Sequence, residues 1–329
     1  MNLRKLIYFF ALLIFLIFSC IFGVSVGVTG IGLLDVLNAF LGTTDPLTET
    51  IVINIRFARV LLSVGTGIAL GCSGAAVQSV FQNPLAEPYI LGISAGSVLG
   101  VIVSLVFFPG ISYGTQVFSF LFAILTILIV YRISGIGGTV QPSTLVLAGI
   151  AITAFFSAIT SYLIYAHFSK NIATILFWTM GGFWHADLFA GSIVLAVSLI
   201  CMLVLLCFWR ELNALSLGDN FAMNVGIDVG KTRQTIIILV AFCVSFAVSF
   251  TGIIGFVGLI VPHIARFVVG AEHRKLIVFS GLTGGVLLLW ADTASRTLVY
   301  GEEIPVGIIT AILGVPFFLY LLIRRRKIC

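Results

Sequence analysis

Thirty-one consecutive residues, Thr235 to Ala265, carry no formal charge, and a second uncharged run covers 6–28. Charged residues normally cover the outside of a water-soluble fold, so such runs have no place in one. Each is long enough to cross hydrocarbon, which takes about 20 apolar residues. The rest of the chain follows suit. Of its 329 residues, 60% are apolar even without its 34 glycines, and 9% are charged where soluble domains average about 25%. Mean hydropathy is +1.23. Soluble globular, disordered, collagen-like and disulfide-scaffold classes are excluded. The chain reads as a polytopic all-α membrane protein, one transmembrane domain over 1–329.

Cutting at charges, prolines and glycine turns gives ten candidate spans: 6–28, 58–80, 90–108, 114–131, 144–166, 189–209, 235–251, 253–271, 276–298 and 304–323. The run from Thr235 is too long for one span, and Thr251-Gly252 with Gly255 offers the turn that divides it. Ten crossings put both termini on one side. The N-terminal run is too long for a signal sequence and no small-residue cleavage site follows it, so a retained first helix is expected.

Basic residues test the count. With both termini cytoplasmic, thirteen of the 17 lie inside, and Arg56, Arg59, Lys170 and Arg296 lie outside. The positive-inside rule demands such a bias, and nine or eleven spans would scramble it. The net charge of +5 is therefore a topology signal, spread in short runs, and no nucleic-acid surface is expected. The external arginines need a reason of their own: local pairing with acids such as Glu49, lipid phosphates, or a protein partner.

Several features imitate chemistry. Gly226 and Gly230-Lys231-Thr232 suggest a phosphate loop, but a Walker A needs four residues between its glycines and this chain has three. ATP hydrolysis must come from another polypeptide. The six cysteines form no CxxC pair, and no histidines have ligand spacing, so no metal or cofactor is expected on this chain. Almost all acidic residues fall in connections, Asp292 excepted; an ion pair with Arg296, four residues on, explains it better than a proton relay. Glu87 reads as a cytoplasmic turn residue and His263 as a capping group. No nucleophile–base pair is present, so the chain is not an enzyme. Glycines at spacing four (Gly67, Gly71 with Ala75; Gly92, Gly96, Gly100) predict close helix packing within the subunit.

The connection 210–234 is the longest polar stretch. Its apolar subset, Leu212, Leu215, Leu217, Phe221, Met223 and Val225, predicts short helices at the membrane surface, with Gly218 and Gly226 allowing tight turns, ready for a soluble partner. The segment after the fifth span, Phe177-Trp178 through Trp184-His185, carries aromatic groups that fit either an interfacial belt or a large planar ligand.

The segments NPLAEPYILGISAG (83–96), LVLAGIAIT (145–153), LNALSLGDNFAMNVG (212–226), GIIGFVGLIVPHIARFVVGAEHRK (252–275), ADTASR (291–296) and EIPVGIITAILGVPFF (303–318) resemble the permease subunits of ABC importers for iron–siderophore, haem and cobalamin. The resemblance covers nearly the whole chain. Where that family has R-x-P-R before the second helix, this chain reads Arg56-Phe57-Ala58-Arg59. The resemblance implies ten helices in the cytoplasmic membrane, with helices two to five and seven to ten in opposite topology. It also implies a pair of permeases, as a homodimer or with a homologue. Two ATP-binding subunits using ATP and Mg would join them, with a substrate-loaded binding protein outside. Arg56, Arg59 and Arg296 then receive that protein's glutamates; Leu217, Gly218, Ala222 and Gly226 form the coupling surface; Asn83 and Leu85, with Ser143 and Thr144, form the cytoplasmic gate. An iron–siderophore is the first expectation for the substrate, then haem or cobalamin. An ion-coupled secondary transporter is the rival reading, weakened by the missing midplane carboxylates.

Overall fold

The chain's small and apolar residues are arranged around one buried helix. The computed structural model describes residues 3–27, 30–136, 140–167, 172–299 and 301–326, and every regular element among them is helical. In chain order these are α1 (Leu3–Ser25), α2 (Leu33–Phe40), α3 (Pro46–Glu49), α4 (Ala58–Val80), α5 (Ile93–Phe107), α6 (Gly114–Ser134), α7 (Pro142–His167) and α8 (Ile172–Met180). There follow α9 (Leu188–Cys207), α10 (Trp209–Ser216), α11 (Asp219–Asn224), α12 (Val229–Thr251), α13 (Val257–Val269), α14 (His273–Thr297) and α15 (Val306–Arg326). A π-helical stretch, Thr50–Phe57, runs without a break into α4. Lys170, one of the four basic residues expected outside, and Cys329 lie outside the described residues.

Each of the ten segments cut from the sequence contains a helix, but the helices are unequal. Eight helical runs among the described residues are long and apolar enough to cross a membrane. The other two, α5 and α13, have 15 and 13 residues. At 1.5 Å per residue they reach only about 20 Å, against roughly 30 Å of hydrocarbon. The expected spans 90–108 and 253–271 are longer than these helices because the apolar pattern continues through flanking links that are not α-helical, the one before α5 including a 3-10 turn at Pro88–Leu91. Gly92 (φ +82°) stands before α5 and Phe256 (φ +68°) before α13, both in the left-handed conformation that stops a helix from extending backwards.

α4 is buried along almost its whole length because its neighbours touch its backbone. A Cβ at Gly67 would strike the carbonyl oxygen of Gly284 in α14, and one at Gly284 the carbonyl of Gly67. Gly71 meets Ser280 of α14 in the same way, and Gly74 meets Gly258 of α13. The expected role of the glycine stripes, packing inside one chain, is what these contacts show; Gly96 and Gly100 bring α5 against α6 likewise. Without water to drive helices together, such close approach supplies the dispersion contact that holds them.

The α4–α14 pair is antiparallel in one continuous register. Arg59 meets Asp292, Gly67 meets Gly284, Gly71 meets Ser280 and Ser79 meets His273. These two helices therefore form a rod. One end carries Arg59 and Arg296, and the other reaches α10 and the turn at Asn83.

Candidate functional site

At the arginine end, the residues explain one another as charges and orphan carbonyls. The last turn of α1 leaves carbonyl oxygens without helical partners. Arg56 Nη1 donates to Val24 and Ser25 (3.0 and 2.9 Å), while Arg296 donates to Gly23 and Val26 (3.2 and 3.3 Å). A guanidinium suits this position, since it offers several donors and stabilises the negative end of the helix dipole. Arg59 uses Nε and Nη2 on Asp292 Oδ1 (3.2 and 2.8 Å), and Nη1 on both oxygens of Glu303 (2.9 Å each). Arg296 Nε lies 3.1 Å from Asp292 Oδ2, completing the ion pair expected from their spacing. Asp292 is wholly buried between the two guanidiniums.

All three arginines are thus engaged inside the chain, with 4%, 5% and 6% exposure for Arg56, Arg59 and Arg296. In these contacts Arg59 and Arg296 share Asp292, Glu303 pairs with Arg59, and Arg56 is held by backbone carbonyls at the end of α1. The acids paired with Arg59 are Asp292 and Glu303 rather than Glu49, and separations of 233 and 244 residues hide these pairs from the sequence. Glu303 also borders a cavity of about 480 Å³ walled by Phe177, Trp178, Trp184, His185 and Phe250. The aromatic segment therefore lines a recess shared with the charged cluster.

The links that precede α5 and α13 meet. Glu87 Oε1 accepts the N–H of Phe256 at 2.7 Å, and Tyr89 donates its hydroxyl to the carbonyl of Ile254 at 3.2 Å. Glu87 is therefore more than the plain turn residue its position suggests. It gives its carboxylate to the residue capping the N-terminus of α13, where negative charge is favoured. A sequence separation of 169 residues again gives no hint of it.

At the positions expected to form the gate, Asn83 closes its own turn: Oδ1 accepts the Leu85 N–H (3.0 Å), and the Asn83 N–H bonds to the carbonyl of Gln78 (3.0 Å). Ser143 and Thr144 stand exposed in the first turn of α7, with Thr144 Oγ1 donating to the carbonyl of Gln141 (2.8 Å). Nearby, His273 joins three elements: Nδ1 donates to Asn213 Oδ1 (2.8 Å) in α10, leaving Nε2 to accept from Ser79 Oγ (2.5 Å) in α4.

Residues 210–234 form α10, α11 and the first turns of α12, turning at Gly218 (φ +113°) and Gly226 (φ +86°). The positions expected to form the coupling surface do not share one environment. Leu217 is 67% exposed, whereas Ala222 is fully buried. Ala222 sits on the underside of α11, so the face open to a partner consists of Leu217, Phe221, Met223 and Val225. Leu217, Phe221 and Val225 line a shallow groove of about 460 Å³ with Trp209, over which Arg210 stacks at 5.2 Å. The imitation phosphate loop is the start of α12. Its Lys231 N–H is spent on Asp228 Oδ1 (3.0 Å), and that bond holds the Asp228 carboxyl below the usual carboxylate range. Among the described residues no cluster of three or more His, Cys, Asp or Glu could hold a metal.

The model of the FecCD transport family matches residues 13–324. The cobalamin import system permease of Halobacterium salinarum is 40% identical over 284 residues, covering 85% of this chain and 75% of the relative. The Fe(3+)-citrate import system permease of Bacillus subtilis is 35% identical over 326 residues, covering 99% and 96%. A solved putative metal-chelate type ABC transporter, captured in an inward-facing conformation, superposes with a TM-score of 0.84 at 30% identity over 96% of this chain and 98% of that one.

Proposed function

Because the chain belongs to the FecCD transport family, it is the membrane permease of an ABC importer, and we propose that it carries an iron–siderophore as one of two paired permease subunits. Two ATP-binding subunits drive it from the cytoplasm, and a binding protein delivers the chelate from outside. The substrates named for the relatives differ, cobalamin for one and ferric citrate for another. A metal chelate, the cargo class of the solved transporter, embraces both, and haem is the alternative cargo. The observation that carries the reading is the polarity of the α4–α14 rod. An arginine–carboxylate cluster borders the aromatic recess at one end, and α10, with its apolar groove, meets the other.

The proposed topology has ten crossings in two inverted halves with both termini cytoplasmic. The helix lengths support it. α4 to α7 have 23, 15, 21 and 26 residues, and α12 to α15 have 23, 13, 25 and 21. Each set has one short helix, second in order, preceded by a left-handed residue. Half-helices that start within the bilayer at a repeat interface are a recurrent transporter device. Asn83, Leu85, Ser143 and Thr144 are proposed to close the inner mouth, and Leu217 with Gly218 and Gly226 to present the coupling surface, Ala222 serving as its internal support.

Docking is proposed at the external cluster, centred on Arg59. Its partner Glu303 retains 43% side-chain exposure and is able to exchange with an acid of the binding protein. Arg56 and Arg296 hold the end of α1 and add to the field. Substrate is tested on the cognate binding protein by titration with ferric siderophores, haem and cobalamin. Tight binding of a ferric siderophore alone is expected; binding of haem or cobalamin alone overturns the choice of cargo and leaves the importer role standing.

A further inference from the structure

The turn at Asn83 and the start of α7 lie far apart in sequence, and among the described residues no hydrogen bond joins Asn83 or Leu85 to Ser143 or Thr144. A third element joins their neighbours. Asp219, the first residue of α11, accepts from Gln82 Nε2 at 2.6 Å. It also accepts from Arg233 Nη2 through both carboxylate oxygens, at 2.7 and 2.9 Å. The same guanidinium donates Nη1–H to the carbonyl of Val140 at 3.0 Å, three residues before Ser143. One aspartate on the coupling segment thus reaches the residue beside Asn83 directly, and the approach to α7 through one arginine.

The parts of this chain are suited to passing on displacement. Guanidinium–carboxylate bonds are short, directional and stiffer than a lysine contact. The Arg233 side chain is 3% exposed, so it has little room to swing to another partner. Gln82 has φ +49°, a conformation that a non-glycine residue keeps only when its surroundings hold it. A bond between exposed groups adds little stability. Stability therefore gives Gln82 Nε2 little reason to be fixed on Asp219.

We propose that Asp219 and Arg233 form the transmission node of the importer. Movement of α11 by the ATPase pulls Gln82, and with it the Asn83 turn, through Asp219; it pulls Val140, and with it the start of α7, through Arg233. Both sides of the gate then respond together. The node rests on the reading of α10–α11 as the coupling surface and of residues 83 and 143 as gate. Asp219, Arg233 and Gln82 are positioning residues, with no contact to substrate required.

The test uses the permease–ATPase complex in proteoliposomes, with native cysteines replaced by alanine and a single Asn83→Cys or Ser143→Cys reporter. A membrane-impermeant maleimide is the probe, applied with and without ATP plus vanadate. The reference complexes are expected to label at nucleotide-dependent rates at both positions. Gln82→Ala cuts one arm, so the nucleotide-dependent difference should be lost at 83 and kept at 143. Arg233→Gln should lose it at 143 and weaken it at 83, while the ATPase still co-purifies. A general packing defect has no such arm specificity. Equal effects of Gln82→Ala at both positions, or no effect at either, overturn the node, and this exposed position decides the matter if Arg233→Gln fails to fold. Reference complexes with no nucleotide-dependent labelling remove the gate assignment and the node with it. Retention of the ATPase by Leu217→Asp instead removes the coupling surface, a separate result read by co-purification.

Discussion

Glu87 lies in the link between α4 and α5 and Phe256 in the link between α12 and α13, and a hydrogen bond of 2.7 Å joins them. Phe256 holds φ +68°, which a bulky side chain disfavours, and its N–H would have no helical partner at the start of α13. Glu87 answers both needs from 169 residues away in the sequence. The contact ties the α12–α13 break to the link that also contains Asn83.

Removing that acceptor should therefore be felt well beyond one bond. Glu87→Ala leaves a buried donor unsatisfied and is expected to cost about 1–3 kcal/mol. Glu87→Gln keeps an oxygen in place and should retain most of the stability. Melting of the detergent-solubilised protein separates the two; equal loss in both variants would show that charge, not hydrogen bonding, is what Glu87 supplies.

Asp292 is buried between Arg59 and Arg296. Breaking a buried ion pair from one side strands the other charge, so Asp292→Ala should destabilise by about 3–5 kcal/mol. Pairing it with Arg59→Leu removes one stranded charge and should recover part of the loss. The check is a double-mutant cycle on thermal unfolding in detergent, with recovery as the expected sign.

Docking should respond to Glu303 and Arg59 in opposite directions. Glu303→Ala frees the Arg59 guanidinium for an incoming acid and should speed binding-protein association at low salt. Arg59→Glu should slow it roughly ten-fold there and far less at high salt, since surface charge acts mainly on association rate. Stopped-flow association at two ionic strengths reads both; rates and salt dependence unchanged in both variants would move the docking surface elsewhere.

On the coupling face, Leu217→Asp and Phe221→Asp should each weaken co-purification of the ATPase while leaving the melting temperature of the permease unchanged, because both side chains are exposed. Ala222→Glu should instead lower the melting temperature, since its Cβ is packed inside. A change at position 222 that spares stability and removes the ATPase would reverse this division.

Charge-free length makes the long apolar helices legible in the amino-acid sequence alone. The glycine stripes likewise announce the close packing that Gly67 makes with Gly284. What stays hidden follows one physical pattern. Asp292 and Arg296 are four residues apart, and helical spacing reveals their pairing; Arg59–Glu303, Glu87–Phe256 and Arg233–Val140 depend on the tertiary fold and leave no periodicity. Hydropathy overstates the lengths of α5 and α13 because it does not register the change of φ at Gly92 and Phe256. Burial of Ala222 beneath exposed Leu217 is equally invisible, since a six-residue helix is too short to show a reliable face.

The central claim is that this chain moves a metal chelate only as the membrane part of an ATP-driven complex. Its most direct test is uptake of a radio-iron siderophore into proteoliposomes holding the permease and its ATPase, with the loaded binding protein supplied on the opposite side. The account predicts uptake that requires ATP and the binding protein, and that persists when proton and sodium gradients are abolished. Uptake by the permease alone, driven by an ion gradient and indifferent to ATP, would contradict it.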